Sequence, residues 1–281
     1  GINAWNHAAI TVEWDKVFLI LRHARISARV KTVFWKLFSD RLYVGEAAIH
    51  YLDKHHKFES HRNLFQYCPY CPGYILATYE HIFYECPKIK PFWLYIKHNA
   101  FPAINQVCPI NSFYDLNSFF DDFERVNSIK KIVHDELIYY AVYSIYCTYR
   151  VLIQKYIDDI MDATAYASGT GYFIDIMTTY HKHIRTCIAM LPHHMRAIDH
   201  HEAFIHHSDE HRRMTIREQM LQPILHYSLH AIDNDKYIKA YQDTWCHGKY
   251  FCDITDDNSI KFLPLYFDAN LQPDQCPRRS P

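Results

Sequence analysis

Three cysteines and a histidine stand close together in the chain, as Cys68-x2-Cys71-x9-His81-x4-Cys86. Thiolates and imidazole are the soft and borderline donors that Zn²⁺ prefers, and four of them complete its tetrahedron. Two cysteines three residues apart can aim both sulfurs at one point if the chain turns tightly between and after them. Pro72 and Gly73 follow Cys71 and suit such a turn. A Cys3His set leaves no coordination position for water, so the expected site is closed and structural rather than catalytic, with Cys68, Cys71, His81 and Cys86 holding one Zn²⁺. The competing reading of the same residues is three buried thiols beside a surface histidine.

The second pair sets a geometric condition. Thr78 can cap a short helix that carries Glu80, His81, Ile82 and Phe83. On a continuous α-helix, at about 100° per residue, His81 and Cys86 would lie about 140° apart and could not share an ion. The helix is therefore expected to end near Tyr84 or Glu85 so that Cys86 swings back, and Pro87 fits such a stop.

Around the cysteines lies a candidate nucleic-acid surface. Lys54, His55, His56, Lys57, His61 and Arg62 precede them, and Lys88 and Lys90 follow. Tyr67, Tyr70, Tyr74 and Tyr79 interleave rings with these charges. Zinc knuckles bind single strands by stacking bases on rings while cations hold phosphates. The bland alternative is a solvated loop with the tyrosines packed inside.

Two other groups invite a metal reading. His193, His200, His207 and His211 recur at steps that one helical face could display, and a solvated histidine face is the plainer account. Cys246, His247 and Cys252 could supply three ligands, but a fourth is not evident beyond Asp253. Cys108, Cys147 and Cys187 stand alone. No Gly-rich phosphate loop, G-x-S-x-G or catalytic triad can be argued from spacing. Tyr156-Ile157-Asp158-Asp159 is superficially close to the Tyr-x-Asp-Asp of polymerases, but it ends an amphipathic helix where that motif needs a hairpin between strands.

The order of residues from about 30 to 98 resembles the zinc-binding domain at the C-terminal end of many non-LTR retrotransposon reverse transcriptases. The matching features are Trp35-Lys36-Leu37, Arg41-Leu42, Cys68-Pro69-Tyr70-Cys71, Glu80-His81-Ile82-Phe83-Tyr84-Glu85-Cys86-Pro87 and Trp93. Ile145-Tyr146 with Arg150 loosely matches a later pattern of that family. The Ala77-Thr78-Tyr79 before Glu80 departs from it, as does an unusually apolar loop over 72–80. The resemblance implies a structural zinc and a retroelement protein that handles its own RNA or target DNA. It also implies a piece downstream of a polymerase region, without catalysis of its own, and a chain that starts at Gly1 fits a fragment. The rival function is a zinc-stabilised helical protein-interaction module, a decayed or domesticated remnant of such an element. A third, a metal-dependent hydrolase, would use the histidine run.

The elements that must carry these residues read as mainly α. Hydrophobic residues make up 49 % of 281, enough for a sizeable core, and with Gly at 6 and Pro at 12 long flexible linkers are not expected. Lys plus Arg at 30 against Asp plus Glu at 31 excludes a global basic field, so nucleic-acid contact would need a local patch. No uncharged apolar run reaches the ~18 residues of a membrane span. Nine cysteines without a dense framework suit an intracellular, reducing setting and no membrane partner. Apolar periodicity predicts helices over 11–25, 30–42, 46–52, 111–123 and 128–161, then roughly 172–190, 213–231 and 235–246, and the segment 90–101 places Pro91 as a first-turn proline. The expected organisation is an N-terminal unit, 1–98, with the zinc module at 30–98, and a helical region, 99–281, whose tail, 269–281, is disordered.

Overall fold

The computed structural model describes residues 27–55, 62–116, 129–205, 239, 242–243, 245–247, 251–256 and 260–263, with the backbone alone at 52–55, 63, 129–135 and 189–205. Among them the protein is mainly helical, with a single two-stranded antiparallel hairpin. The expected helices at 11–25 and 213–231 and the tail lie outside the described residues, as does 235–246 apart from 239, 242–243 and 245–246.

Helix α1, Ala28–Phe38, buries Val30, Val33, Phe34, Leu37 and Phe38. These recur at three- and four-residue steps, which puts them on one face. Ser27 caps it by accepting a bond from the Val30 amide at 3.4 Å. At its other end Asp40 takes a left-handed conformation (φ 57°) and the Arg41 amide donates back to the Lys36 carbonyl at 2.7 Å. That closes the last turn and directs Leu42, fully buried, into the core. Helix α2, Gly45–His55, starts on a glycine with φ 54°. A Cβ there would lie 2.1 Å from the Ala77 carbonyl oxygen, so only glycine lets α2 approach the cysteine segment this closely.

Helix α3, Arg62–Gln66, leads into the cysteine segment, and helix α4, Lys90–Tyr95, leaves it with Pro91 in its first turn, as expected. Of the expected helix over 111–123, residues 111–116 are described and hold a short 3-10 turn, Phe113–Leu116, while 117–123 lie outside the described residues. Asp115 there accepts bonds from the Asn111 and Ser112 amides, which closes the turn on itself.

Helix α5, Ile129–Asp158, is the longest of the expected helices and runs through the middle of the molecule. Every side chain from Glu136 to Val142 is buried, a pattern for a helix covered on all sides. It stops one turn earlier than periodicity suggests. Asp159 is extended and accepts bonds from the Met161 and Asp162 amides, capping a new helix α6, Ile160–Ser168. Tyr156-Ile157-Asp158-Asp159 therefore marks a helix end and a cap, with no strands beside it.

After Gly169 and Thr170, helix α7 runs from Gly171 to Ile205. It passes the expected end near 190 and continues through Pro192. That residue lacks one donor, and the helical bonds on either side outlast it. Helices α5 and α7 pack together: the His183 ring stacks on Tyr140 at 5.0 Å and meets Tyr143 edge-on at 5.1 Å. Strands β1, Cys252–Ile254, and β2, Ile260–Phe262, pair antiparallel and were not expected from periodicity. Three-residue strands are too short for an alternating pattern to stand out. The Arg185 guanidinium on α7 donates to the Leu263 carbonyl at 2.8 Å and holds the hairpin to that helix.

One hydrophobic cluster includes residues from α1, the cysteine segment, α4, α5, α7 and the hairpin. The boundary expected at 98/99 falls inside a π-helical turn, Ile96–Ala100. Side chains on both sides of it share this core: Phe92 meets Tyr180 edge-on at 5.5 Å, and the Tyr95 hydroxyl lies 2.6 Å from His181 Nε2.

Candidate metal centre

The knuckle is built by a narrow hairpin. The Cys68 amide donates to the Ile75 carbonyl at 2.7 Å and the Ala77 amide to the Gln66 carbonyl at 3.0 Å, which sets Tyr67 opposite Leu76. Gly73 closes the tip at φ 91°, with open space where a side chain would stand. From outside, the Tyr156 hydroxyl on α5 donates to the Pro69 carbonyl at 3.2 Å.

The other two donors come from a helical turn. The Thr78 hydroxyl accepts a bond from the His81 amide at 3.2 Å, the cap expected from sequence. The turn then widens: His81–Glu85 is π-helical, and the Cys86 amide donates to the His81 carbonyl five residues back at 2.8 Å. A π-turn rotates less per residue than an α-helix, so His81 and Cys86 are closer in angle than the α-helical estimate allows. Cys86 itself leaves the helix (φ -54°, ψ 125°) and its side chain turns back towards the knuckle. The expected interruption before Cys86 is thus present as a π-turn.

Pro87 has a second effect here. It has no N–H, so the Phe83 carbonyl four residues earlier has no helical donor. The Trp93 indole fills that place, donating to the Phe83 oxygen at 2.6 Å. The Tyr79 hydroxyl donates to the Leu42 carbonyl at 3.0 Å and ties the turn to the end of α1. On its outer side the Tyr114 hydroxyl donates to Glu80 at 2.7 Å.

The four donor atoms of Cys68, Cys71, His81 and Cys86 all lie within 4.8 Å of one another. Cys68 Sγ is 3.9 Å from Cys86 Sγ, Cys71 Sγ is 3.5 Å from Cys86 Sγ, and Cys71 Sγ is 3.4 Å from His81 Nε2. A tetrahedron with Zn–S bonds of about 2.3 Å has S···S edges of about 3.8 Å, and with Zn–N of about 2.05 Å an S···N edge of about 3.6 Å. The donor set fits a metal ion of that size. Cys68, His81 and Cys86 are buried and Cys71 is half-buried, so the alternative of a surface histidine beside buried thiols does not describe it.

The thiols interact strongly. The hydrogen bond from Cys68, followed in weight by bonds involving His81, the Lys88 backbone and Cys71, lowers the Cys86 thiol to about 4 against its own burial. The same Cys68–Cys86 bond, with burial, pushes Cys68 up, and burial with the nearby Cys86 charge pushes Cys71 up to about 11. A bound divalent cation would deprotonate all three.

Among the described residues the candidate nucleic-acid side chains are divided between core and surface. Tyr70 is buried, 3 % exposed, with its ring 5.6 Å from Tyr172, and cannot stack on a base. Tyr79 is likewise buried. These two positions are corrected to core residues: turning both knuckle sulfurs to one point drives Tyr70 inward against α7. Tyr74 is 84 % exposed, and its ring meets Tyr67 edge-on at 5.0 Å. Arg62 and Lys90 are exposed, and Lys88 lies over the Tyr172 ring at 5.5 Å. The Lys54 side chain, His56, Lys57 and His61 lie outside the described residues.

His193 and His200 sit on α7, while His207 and His211 lie outside the described residues. Among the described residues the Cys68 group is the one place where three or more Cys, His, Asp or Glu donors meet, so Cys246, His247 and Cys252 do not form a second such cluster. No helix among them is long and apolar enough to cross a membrane. Comparison with known proteins returns no matching family model, curated protein or solved structure.

Proposed function

We propose that Cys68, Cys71, His81 and Cys86 hold one Zn²⁺ in a closed structural site. We further propose that the chain is the non-catalytic zinc-binding region of a retroelement reverse transcriptase. The observation that carries the zinc is the convergence of four donor atoms within 4.8 Å of one another, with three of their six separations, 3.4 to 3.9 Å, close to the edges of a zinc tetrahedron. Zinc bound there would supply folding energy by joining the hairpin to the π-turn, and it would leave no position open for a substrate.

The retroelement reading rests on the order of motifs from Trp35 to Trp93. Weak contact with RNA or DNA is assigned to the knuckle flanks, where exposed Tyr74 offers a ring for a base and Arg62 and Lys90 offer charge to phosphates. A second reading, a zinc-stabilised protein-interaction module, is favoured by a different feature. Pro72, Gly73, Tyr74, Ile75 and Leu76 are all exposed, an apolar tip held out by the knuckle.

Metal content of the purified chain tests the site. One zinc per chain is expected, lost in a Cys68→Ser, Cys71→Ser double variant, and folded, reduced protein without zinc would refute it. Titration with a single-stranded RNA oligonucleotide at several salt concentrations separates the two functions. Binding that weakens steeply with salt and is reduced by Tyr74→Ala supports nucleic-acid contact. No binding at low salt by zinc-loaded protein leaves the interaction module.

A further inference from the structure

Away from the metal centre, two more sulfurs face each other: Cys246 Sγ and Cys252 Sγ are 3.8 Å apart. We propose that they form a reversible disulfide, a thiol oxidation site separate from the Cys68 group. The backbone around them is already fixed. The Cys246 amide bonds the Gln242 carbonyl at 3.1 Å, and Cys252 lies on β1 opposite Phe262. The neighbours of the two cysteines, Trp245 and Phe251, are buried and pack edge-on at 5.6 Å, which pins the ends of the intervening loop together. A disulfide needs the sulfurs at about 2.05 Å. Side-chain rotation has to supply the remaining approach.

Among the described residues the two sulfurs form a thiol pair that belongs to no group of three or more metal donors. His247 is exposed, and no third donor joins the two sulfurs among the described residues. Cys246 is half-buried and open to a small oxidant, whereas Cys252 is fully buried behind it. This is the arrangement of an attacking and a resolving thiol. With a hydroperoxide, the Cys246 thiolate displaces hydroxide from the O–O bond and becomes a sulfenic acid. The Cys252 sulfur then attacks that sulfur, the S–O bond breaks and water leaves. Two thiols and one hydrogen peroxide give one disulfide and two waters, and an external dithiol reverses the change.

The test treats the purified full chain with stoichiometric hydrogen peroxide, blocks remaining thiols with N-ethylmaleimide, and maps tryptic peptides by mass. Cleavage after Lys249 separates the two cysteines, so a disulfide appears as a cross-linked peptide pair, lighter by two hydrogens, that falls apart on reduction. Cys246→Ser should abolish the pair and leave Cys252 unoxidised, and Cys252→Ala should leave Cys246 as a sulfenic acid that dimedone traps. Recovery of both residues as maleimide adducts in the wild-type chain would overturn the proposal. So would over-oxidation of Cys246 without the cross-link, or a second zinc per chain that Cys246→Ser removes.

Discussion

The three thiols are not interchangeable. Cys86 is held ionised near neutrality by the hydrogen bond from Cys68, while Cys68 and Cys71 are held protonated, Cys68 by that bond and Cys71 chiefly by burial. Binding a divalent cation between pH 7 and 9 should therefore release about two protons from the three thiols taken together. The sign follows: lower pH supplies the competing protons and weakens binding. Apparent zinc affinity should fall about a hundredfold for each unit of acidification in that range. Competition against a zinc chelator at several pH values measures the slope. An affinity independent of pH would mean that Cys68 and Cys71 are not ligands.

At the level of elements, the π-turn His81–Glu85 lets a helical histidine and the cysteine five residues on aim at one place. Pro87 helps end the helix there but strands the Phe83 carbonyl, and the Trp93 indole recovers it. Cys86-Pro87 and Trp93 are thus one device spread over eight positions, 86 to 93. Replacing Trp93 by Phe keeps a ring beside Tyr84, which Trp93 meets at 5.6 Å, and removes only the donor and some volume. A buried carbonyl left without a partner costs about 1–3 kcal/mol. Urea denaturation of zinc-loaded protein should show a loss of that order for Trp93→Phe. An unchanged midpoint would show that the indole bond does not hold the turn.

Across the whole molecule, the metal module is fastened to the long helices by buried polar contacts. Tyr95 on α4 meets His181 on α7, and burial, with the nearby Arg185 charge second, holds that imidazole down to about 3. Its folded pKa lies below the ordinary unfolded value of ~6.5, so the unfolded chain binds the proton first. The stabilising contribution is complete above that value. It is lost as pH falls towards 3, at about 1.4 kcal/mol per pH unit. His181→Gln should be less stable than wild type at pH 7, and its stability should fall less steeply between pH 6 and 4. Denaturant midpoints across that range measure the difference, and parallel pH profiles would show that His181 is not the group responsible.

The cluster of Cys68, Cys71, His81 and Cys86 was legible because metal-donor chemistry restricts residue types and spacing so narrowly. Local backbone chemistry likewise exposed the Thr78 cap, the first-turn Pro91, the core face of α1 and the need for a break before Cys86. These depend on neighbours within a few residues, which any reading of the chain can see. The helix does end at Glu85, but that its last turn is π-helical, with the Phe83 carbonyl taken up by the Trp93 indole, was not legible from spacing. The side of the knuckle on which Tyr70 lies could not be read from spacing, because α7 supplies the wall that buries it, about a hundred residues later. The same holds for His181 and Tyr156. Residue types and short-range spacing determined which donors this protein can bring together. Only the packing of distant helices decided which side chains around them are core and which are surface, because the wall that buries each comes from another part of the chain.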